Sequence, residues 1–137
     1  MLQLLYISTA RGTIDRAMCD DILAASRRNN RDWGITGLLI AGTHRFLQAL
    51  EGPEAEVRTV YDRIAADPRH YGCVILSQRT VEQRMFGDWA MGYTAGGDDR
   101  HAGDDLPSIV AALVATIADP GLRAQFTGFA EIQSNAA

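Results

Sequence analysis

The chain has 137 residues, 47% of them hydrophobic and 22% charged, which suits one globular domain able to bury a core without disulfides or metals. A formal net charge of −4 argues against a nucleic-acid partner, and no apolar run approaches the ~20 residues that span a bilayer. Cys19 and Cys73 lack CxxC spacing and read as reduced packing residues of a cytoplasmic protein, while His44, His70 and His101 are too scattered to suggest a metal site.

The opening residues MLQLLYIS carry no basic leader and read as a strand rather than a signal peptide. Leu2, Leu4, Tyr6 and Ser8 share one face, and Gln3, Leu5 and Ile7 the other. Thr13 is expected to cap a helix running to about Asn29, with Asp15 near its start. Its apolar stripe is Ile14, Met18, Ile22 and Ala25, and the stripe continues to Asn29. NNRDWG breaks the helix, Gly34 to Ile40 forms a second strand, AGTHR turns the chain, and Phe46 to Leu50 returns as a third. Pro53 and Glu54 open a second helix with a stripe of Val57, Val60, Tyr61 and Ile64. Arg63 and Asp67 lie i, i+4 on the flank of that stripe. Cys73 to Arg79 makes a fourth strand, and a short fifth is expected within Phe86 to Tyr93.

This order, β-α-β-β-α-β-β, predicts an α+β fold: a ferredoxin-like mixed β-sheet with two helices on one face. The polar, Gly-rich stretch 96–105 reads as a linker between a domain of residues 1–95 and a C-terminal helical extension of residues 106–137. Leu106 to Ala118 carries no charge. It is expected to be a helix started by Asp104 or Asp105 and Pro107, covered on most sides. The outer sheet face, bearing Leu5, Ile7, Leu47 and Ile75, is its obvious seat. The same helix is compatible with self-association into a homodimer. Phe126 and Phe129 mark a further short docked segment.

One residue resists this pattern. In FLQALEG, Gln48 falls on a strand face between Phe46 and Leu50, where a carboxamide needs hydrogen-bond partners or costs roughly 1–3 kcal/mol. Tyr6 falls on the corresponding face of the first strand, Asn29 and Asn30 at the end of the first helix, and Arg63 with Asp67 on the second. A groove between the helices, floored by Tyr6 and Gln48, would suit a flat heteroaromatic ring edged with carbonyls and an N–H. Each residue also has a purely structural explanation. Paired Asn caps helices, an i, i+4 Arg–Asp pair lies on surfaces, a buried Tyr bonds backbone, and Trp89 and Met91 pack.

The set LxxLxYxS, RRNNRDWGITGLLI, FLQALEG, YDRIAADPRH and RMFGDWAMG closely resembles the BLUF family, flavin-binding blue-light sensors, over about residues 2 to 93. The tail resembles the stand-alone members that carry only a helical extension. The resemblance implies noncovalent FAD, its ring between the two helices, although ring contacts would not distinguish FAD from FMN. It implies Tyr6 as photochemical electron and proton donor, and Gln48 as the amide that bridges Tyr6 and flavin and is rotated or tautomerised after excitation. Asn30 would hold the C4=O and N3–H edge, with Arg63 and Asp67 around the pyrimidine side. Asn29, Arg69 and His70 occupy matching positions, and Ile22 and Phe46 look like apolar walls. Trp89 and Met91 form the W-x-M near the end of the domain, with Ala90 between them where many relatives carry serine.

The expected function is therefore a light sensor with FAD as chromophore, not an enzyme, signalling to a downstream protein partner through the fifth strand, the linker and the C-terminal helix. Two alternatives are a small ferredoxin-like enzyme of acylphosphatase type, for which TARGT is a weak anion loop, and a colourless protein-binding module.

Overall fold

The alternation of the first strand persists through β1 (Leu2–Ala10), which pairs antiparallel with both β3 (Arg45–Gly52) and β4 (His70–Thr80). β2 (Thr36–Ala41) pairs antiparallel with β3 and parallel with β5 (Gly92–Ala95), giving the sheet order β4-β1-β3-β2-β5. The computed structural model describes residues 1–87, 92–95 and 106–135. The linker 96–105, with the expected caps Asp104 and Asp105, and Trp89, Ala90 and Met91 lie outside those residues.

Two cores follow from the period-2 pattern. Leu2, Leu4, Tyr6, Leu39, Phe46 and Leu50 face α1 (Arg16–Trp33) and α2 (Glu54–Ala65), joined by Cys19, Leu23, Val57 and Val60 from those helices. Leu5, Leu38, Ile40, Leu47 and Ala49 face the other way, beneath α3 (Leu106–Val114) and α4 (Pro120–Asn135). This is the α+β layering expected, two helices on one face and the C-terminal helices on the other.

Several local expectations are corrected. Asp15, not Thr13, caps α1, its side chain accepting from the Met18 N–H at 2.8 Å. Thr13 is still in the entry segment, where the Ile14 N–H bonds the Thr43 carbonyl. The helix runs past Asn29 to Trp33 and ends at Gly34, whose φ of 69° is the left-handed cap conformation that favours glycine. Its buried ridge is Cys19, Leu23 and Asn30, whereas Met18 and Ile22 are half-buried at its side. Gly52 is required for another reason: a Cβ there would lie 2.7 Å from the Gly34 carbonyl oxygen, so β3 could not approach the end of α1.

Ile75 does not lie under the C-terminal helices. A register shift between Leu5 and Tyr6 pairs Tyr6 with Ile75, on the edge strand, and leaves Ile75 41% exposed. α3 stops at Val114 rather than Ala118, and only Leu106, Val110 and Val114 of it are buried. Its outward positions include Ala111 and Ala112, small enough to face solvent at little cost, so the absence of charge did not require cover on most sides. α4 is longer than the short segment expected and buries Leu122, Phe126, Phe129 and Ala130. Among the described residues no helix is long and apolar enough to cross a membrane.

Candidate functional site

α1 and α2 leave a cleft over the sheet. Tyr6 and Gln48 are neighbours across β1 and β3, direct partners in the ladder, and both are 2% exposed. The Tyr6 hydroxyl donates to Gln48 Oε1. Burial pushes the Tyr6 phenol well above its ordinary range, and the Cys73 thiol, the Tyr61 phenol and the Asp67 carboxylate add to the effect. Tyr6 therefore keeps its proton and acts as the donor of the pair. Tyr61 holds the phenol from the side, ring centroids 5.3 Å apart at 70°.

The cleft is lined by Tyr6, Gln48 and Leu39 below, by Ile22, Asn29 and Asn30 from α1, and by Val60, Arg63 and Ile64 from α2. Ala25, Ser26, Phe46, Asp67, Arg69 and His70 complete it. Every described residue that the sequence proposed for the site thus lies on one cleft; Trp89 and Met91 lie outside the described residues. Asn30 is 1% exposed and its backbone carbonyl accepts from the Gly34 and Ile35 N–H groups. Asn29, one residue earlier on the helix, is exposed at the rim.

The i, i+4 surface pair that offered a purely structural explanation for Arg63 and Asp67 is replaced by two other contacts. α2 ends at Ala65, so Asp67 is no longer on the helix and the i, i+4 geometry does not apply. Asp67 instead accepts from the Arg69 backbone N–H at 2.9 Å and from its guanidinium at 2.5 and 3.0 Å. The Arg69 hydrogen bonds hold the Asp67 carboxyl below its ordinary range. Arg63 lies over the Trp33 ring, 4.7 Å from its centroid, a cation–π contact.

His70 is held at both ring nitrogens. Nε2 lies 2.5 Å from the Ile64 carbonyl, which can only accept, so Nε2 carries a proton. Nδ1 lies 2.7 Å from Ser8 Oγ, on the same strand face as Tyr6, and Phe46 meets the ring edge-on at 6.2 Å. His70 therefore ties the end of α2 to β1. Sequence reasoning missed Ser26, Leu39 and the Ser8 contact. Ser26 falls at helical spacing between Ile22 and Asn30, a signal hidden because the stripe was traced through Ala25 to Asn29.

The donor set suits a flat, polar-edged aromatic ligand. Apolar side chains share the lining with amide, guanidinium and carboxylate groups. Residues 1–92 match the family described as BLUF, sensors of blue-light using FAD. The chain belongs to the BLUF family. Among its relatives is the blue light- and temperature-regulated antirepressor BluF of Escherichia coli (strain K12), 34% identical over 88 residues, or 64% of this chain and 22% of that one. A photoactivated adenylate cyclase subunit beta of Euglena gracilis is 37% identical over 62 residues, 45% of this chain and 7% of that protein. The BLUF chain described here thus spans a small part of either relative. The solved dark-state structure of BlrB, a BLUF protein, superposes with a TM-score of 0.72 at 25% identity, covering 95% of this chain and 93% of that one. Membership decides against the acylphosphatase-type alternative, and the family's cofactor, FAD, fits the cleft's chemistry.

Proposed function

We propose that this chain is a blue-light sensor that holds FAD noncovalently between α1 and α2 and passes its state to a partner protein. The observation that carries this reading is the buried Tyr6–Gln48 hydrogen bond in the floor of a cleft edged by Asn30, Arg63 and Asp67. FAD, when bound, supplies the blue-light absorption and an electron-accepting excited state. Asn30 would hold its carbonyl and N–H edge, Asn29, Arg63 and Asp67 the neighbouring rim, and Ile22 and Phe46 the apolar walls. Arg69 and His70 act first on the protein, fixing Asp67 and the end of α2.

The switch belongs to the protein. With Gln48 Oε1 accepting from Tyr6, the amide can only donate at its nitrogen. Turning the amide about its terminal torsion places the NH2 at the phenol. Tyr6 must then accept from Gln48 and find another acceptor for its own proton. Donor and acceptor exchange without a change of volume, and desolvation makes that exchange consequential. A leucine at 48 would pack as well and report nothing.

The reading extends to a division into residues 1–95, a linker 96–105 and an extension 106–137, to a cytoplasmic setting, and to FAD as chromophore rather than redox catalyst. Trp89 and Met91 remain the proposed neighbours of the switch. The test is an absorption spectrum of the purified protein before and after blue light. A yellow protein whose flavin band moves reversibly to the red supports the proposal; a colourless protein, or a flavin band that light does not move, ends it.

A further inference from the structure

On the face of β3 opposite the cleft, the structure buries a charge that the switch does not use. Glu51 is 0% exposed, and donors surround its carboxylate. Oε1 accepts from Thr36 Oγ1 at 3.0 Å and from the Phe86 N–H at 2.8 Å. Oε2 accepts from the Met85 N–H at 3.0 Å and from Gln3 Nε2 at 3.3 Å. Four donors meet two oxygens. A carboxamide would turn its own NH2 toward two of those donors, so the site is specific for a group that accepts at both positions.

Two arms lead from this carboxylate to α4. In the first, Phe86, seated by Glu51, meets Phe126 edge-on, ring centroids 6.1 Å apart at 76°. In the second, Gln3 Oε1 accepts from Arg79 Nε at 3.0 Å, and the Arg79 guanidinium pairs with Asp119. Asp119 in turn accepts from the Gly121 N–H at 2.8 Å and the Leu122 N–H at 3.4 Å, capping the start of α4. The arms therefore reach α4 at its first turn and near its middle. Gln48 lies three residues before Glu51 on the same strand, and the ladder pairs Glu51 with both Gln3 and Thr36.

We propose that Glu51 is a positioning residue that couples β3 to α4, so that a displacement of β3 at Gln48 is delivered to the cap and the core of that helix. The proposal rests on the light-sensor reading above and adds the route by which the signal leaves. Coupling of this kind shows itself as a two-state response, dark against light, that the link controls.

The test uses full-length, flavin-loaded protein. Absorption and hydrogen exchange are recorded in the dark and under blue light for the wild type, Glu51→Gln and Arg79→Gln. The wild type is expected to show the red shift and a light-dependent change in protection across residues 119–130. Glu51→Gln is expected to keep the red shift while the light-minus-dark difference in α4 falls at least about tenfold. A merely structural Glu51 would lower protection equally in both states and leave the difference standing, which overturns the proposal. Arg79→Gln cuts only the partly exposed arm and is expected to lose the response at 119–122 while keeping it at 126–130; should Glu51→Gln fail to fold, this variant decides alone. A wild type with a normal red shift and no change in α4 refutes the coupling but leaves the sensor intact. No red shift in the wild type removes the sensor reading itself.

Discussion

Across β1 and β3 the same two strands serve opposite purposes, one residue apart. Toward α1 and α2 they present Tyr6 and Gln48 to a cleft; toward α3 and α4 they present Leu5 and Leu47, each 1% exposed in a filled core. The cleft side gives up close packing for hydrogen-bond donors and acceptors. The opposite side gathers its polar groups around one satisfied carboxylate, Glu51, with Gln3 and Thr36 beside it, and packs Leu5, Leu47 and Ala49 in the rest. The difference shows how a sheet of this size can hold a switch. In the proposed sensor, the face that binds and rearranges is backed by a face that is closed, across β1 and β3, each of which has a neighbouring strand on both sides.

Removing the closed face should have the largest effect. A protein ending near Gly97 loses α3 and α4 and exposes Leu5, Leu38, Ile40, Leu47 and Ala49. At ~25 cal/mol per Å² this loss is comparable to the whole ~5–15 kcal/mol stability of a domain. Aggregation or poor flavin loading is expected by size-exclusion chromatography and the flavin-to-protein absorbance ratio, although every cleft residue named above is retained. A soluble, monomeric, fully loaded product would show that the cleft face stands alone. A milder version is Phe126→Ala, expected to cost about 3–5 kcal/mol in denaturant unfolding because Phe126 is 0% exposed against Phe86.

On the cleft face, stability effects should be smaller and functional ones complete. Gln48→Leu removes the acceptor of the buried Tyr6 hydroxyl and is expected to cost about 1–3 kcal/mol. It should still bind flavin and lose the light-induced red shift; a normal reversible shift would remove Gln48 from the switch. Tyr6→Phe keeps the ring against Tyr61 and is expected to cost only about 1 kcal/mol. Flavin binding should persist, with the spectrum after illumination identical to the dark form.

The smallest effect concerns the cleft rim and appears only in acid. Arg69 holds the folded-state pKa of Asp67 below its ordinary 3.8, so the unfolded chain takes up the proton first as pH falls. The stabilisation is fully present above about pH 3.8 and is lost as pH drops through the lower folded value. Asp67 is a quarter exposed, so the contribution is at most about 1 kcal/mol. Asp67→Asn should therefore match this loss at neutral pH, and its stability difference from the wild type should shrink below pH 3.8. A difference that grows with acidity would reverse the assignment.

Alternation and helical spacing were enough to read the strand faces, the two-layer helix arrangement and the position of Gln48 as an amide enclosed by apolar neighbours. These depend on local periodicity, which a chain carries whatever it packs against. Tyr6 and Gln48 could be placed on corresponding faces, but their direct pairing required the β1–β3 register. Other features were set by contacts distant in sequence. The end of α2 at Ala65 turned Asp67 from Arg63 to Arg69, and Trp33, thirty residues earlier, received Arg63 instead. One extra residue in β4 moved Ile75 to pair with Tyr6. Glu51 shows the division most clearly. Its parity with Leu47 and Ala49 put it on the outer face, where a lone carboxylate among apolar residues has no explanation in sequence. Its four donors come from Gln3, Thr36, Met85 and Phe86, on three other segments of the chain, and only the folded sheet brings those donors to one point.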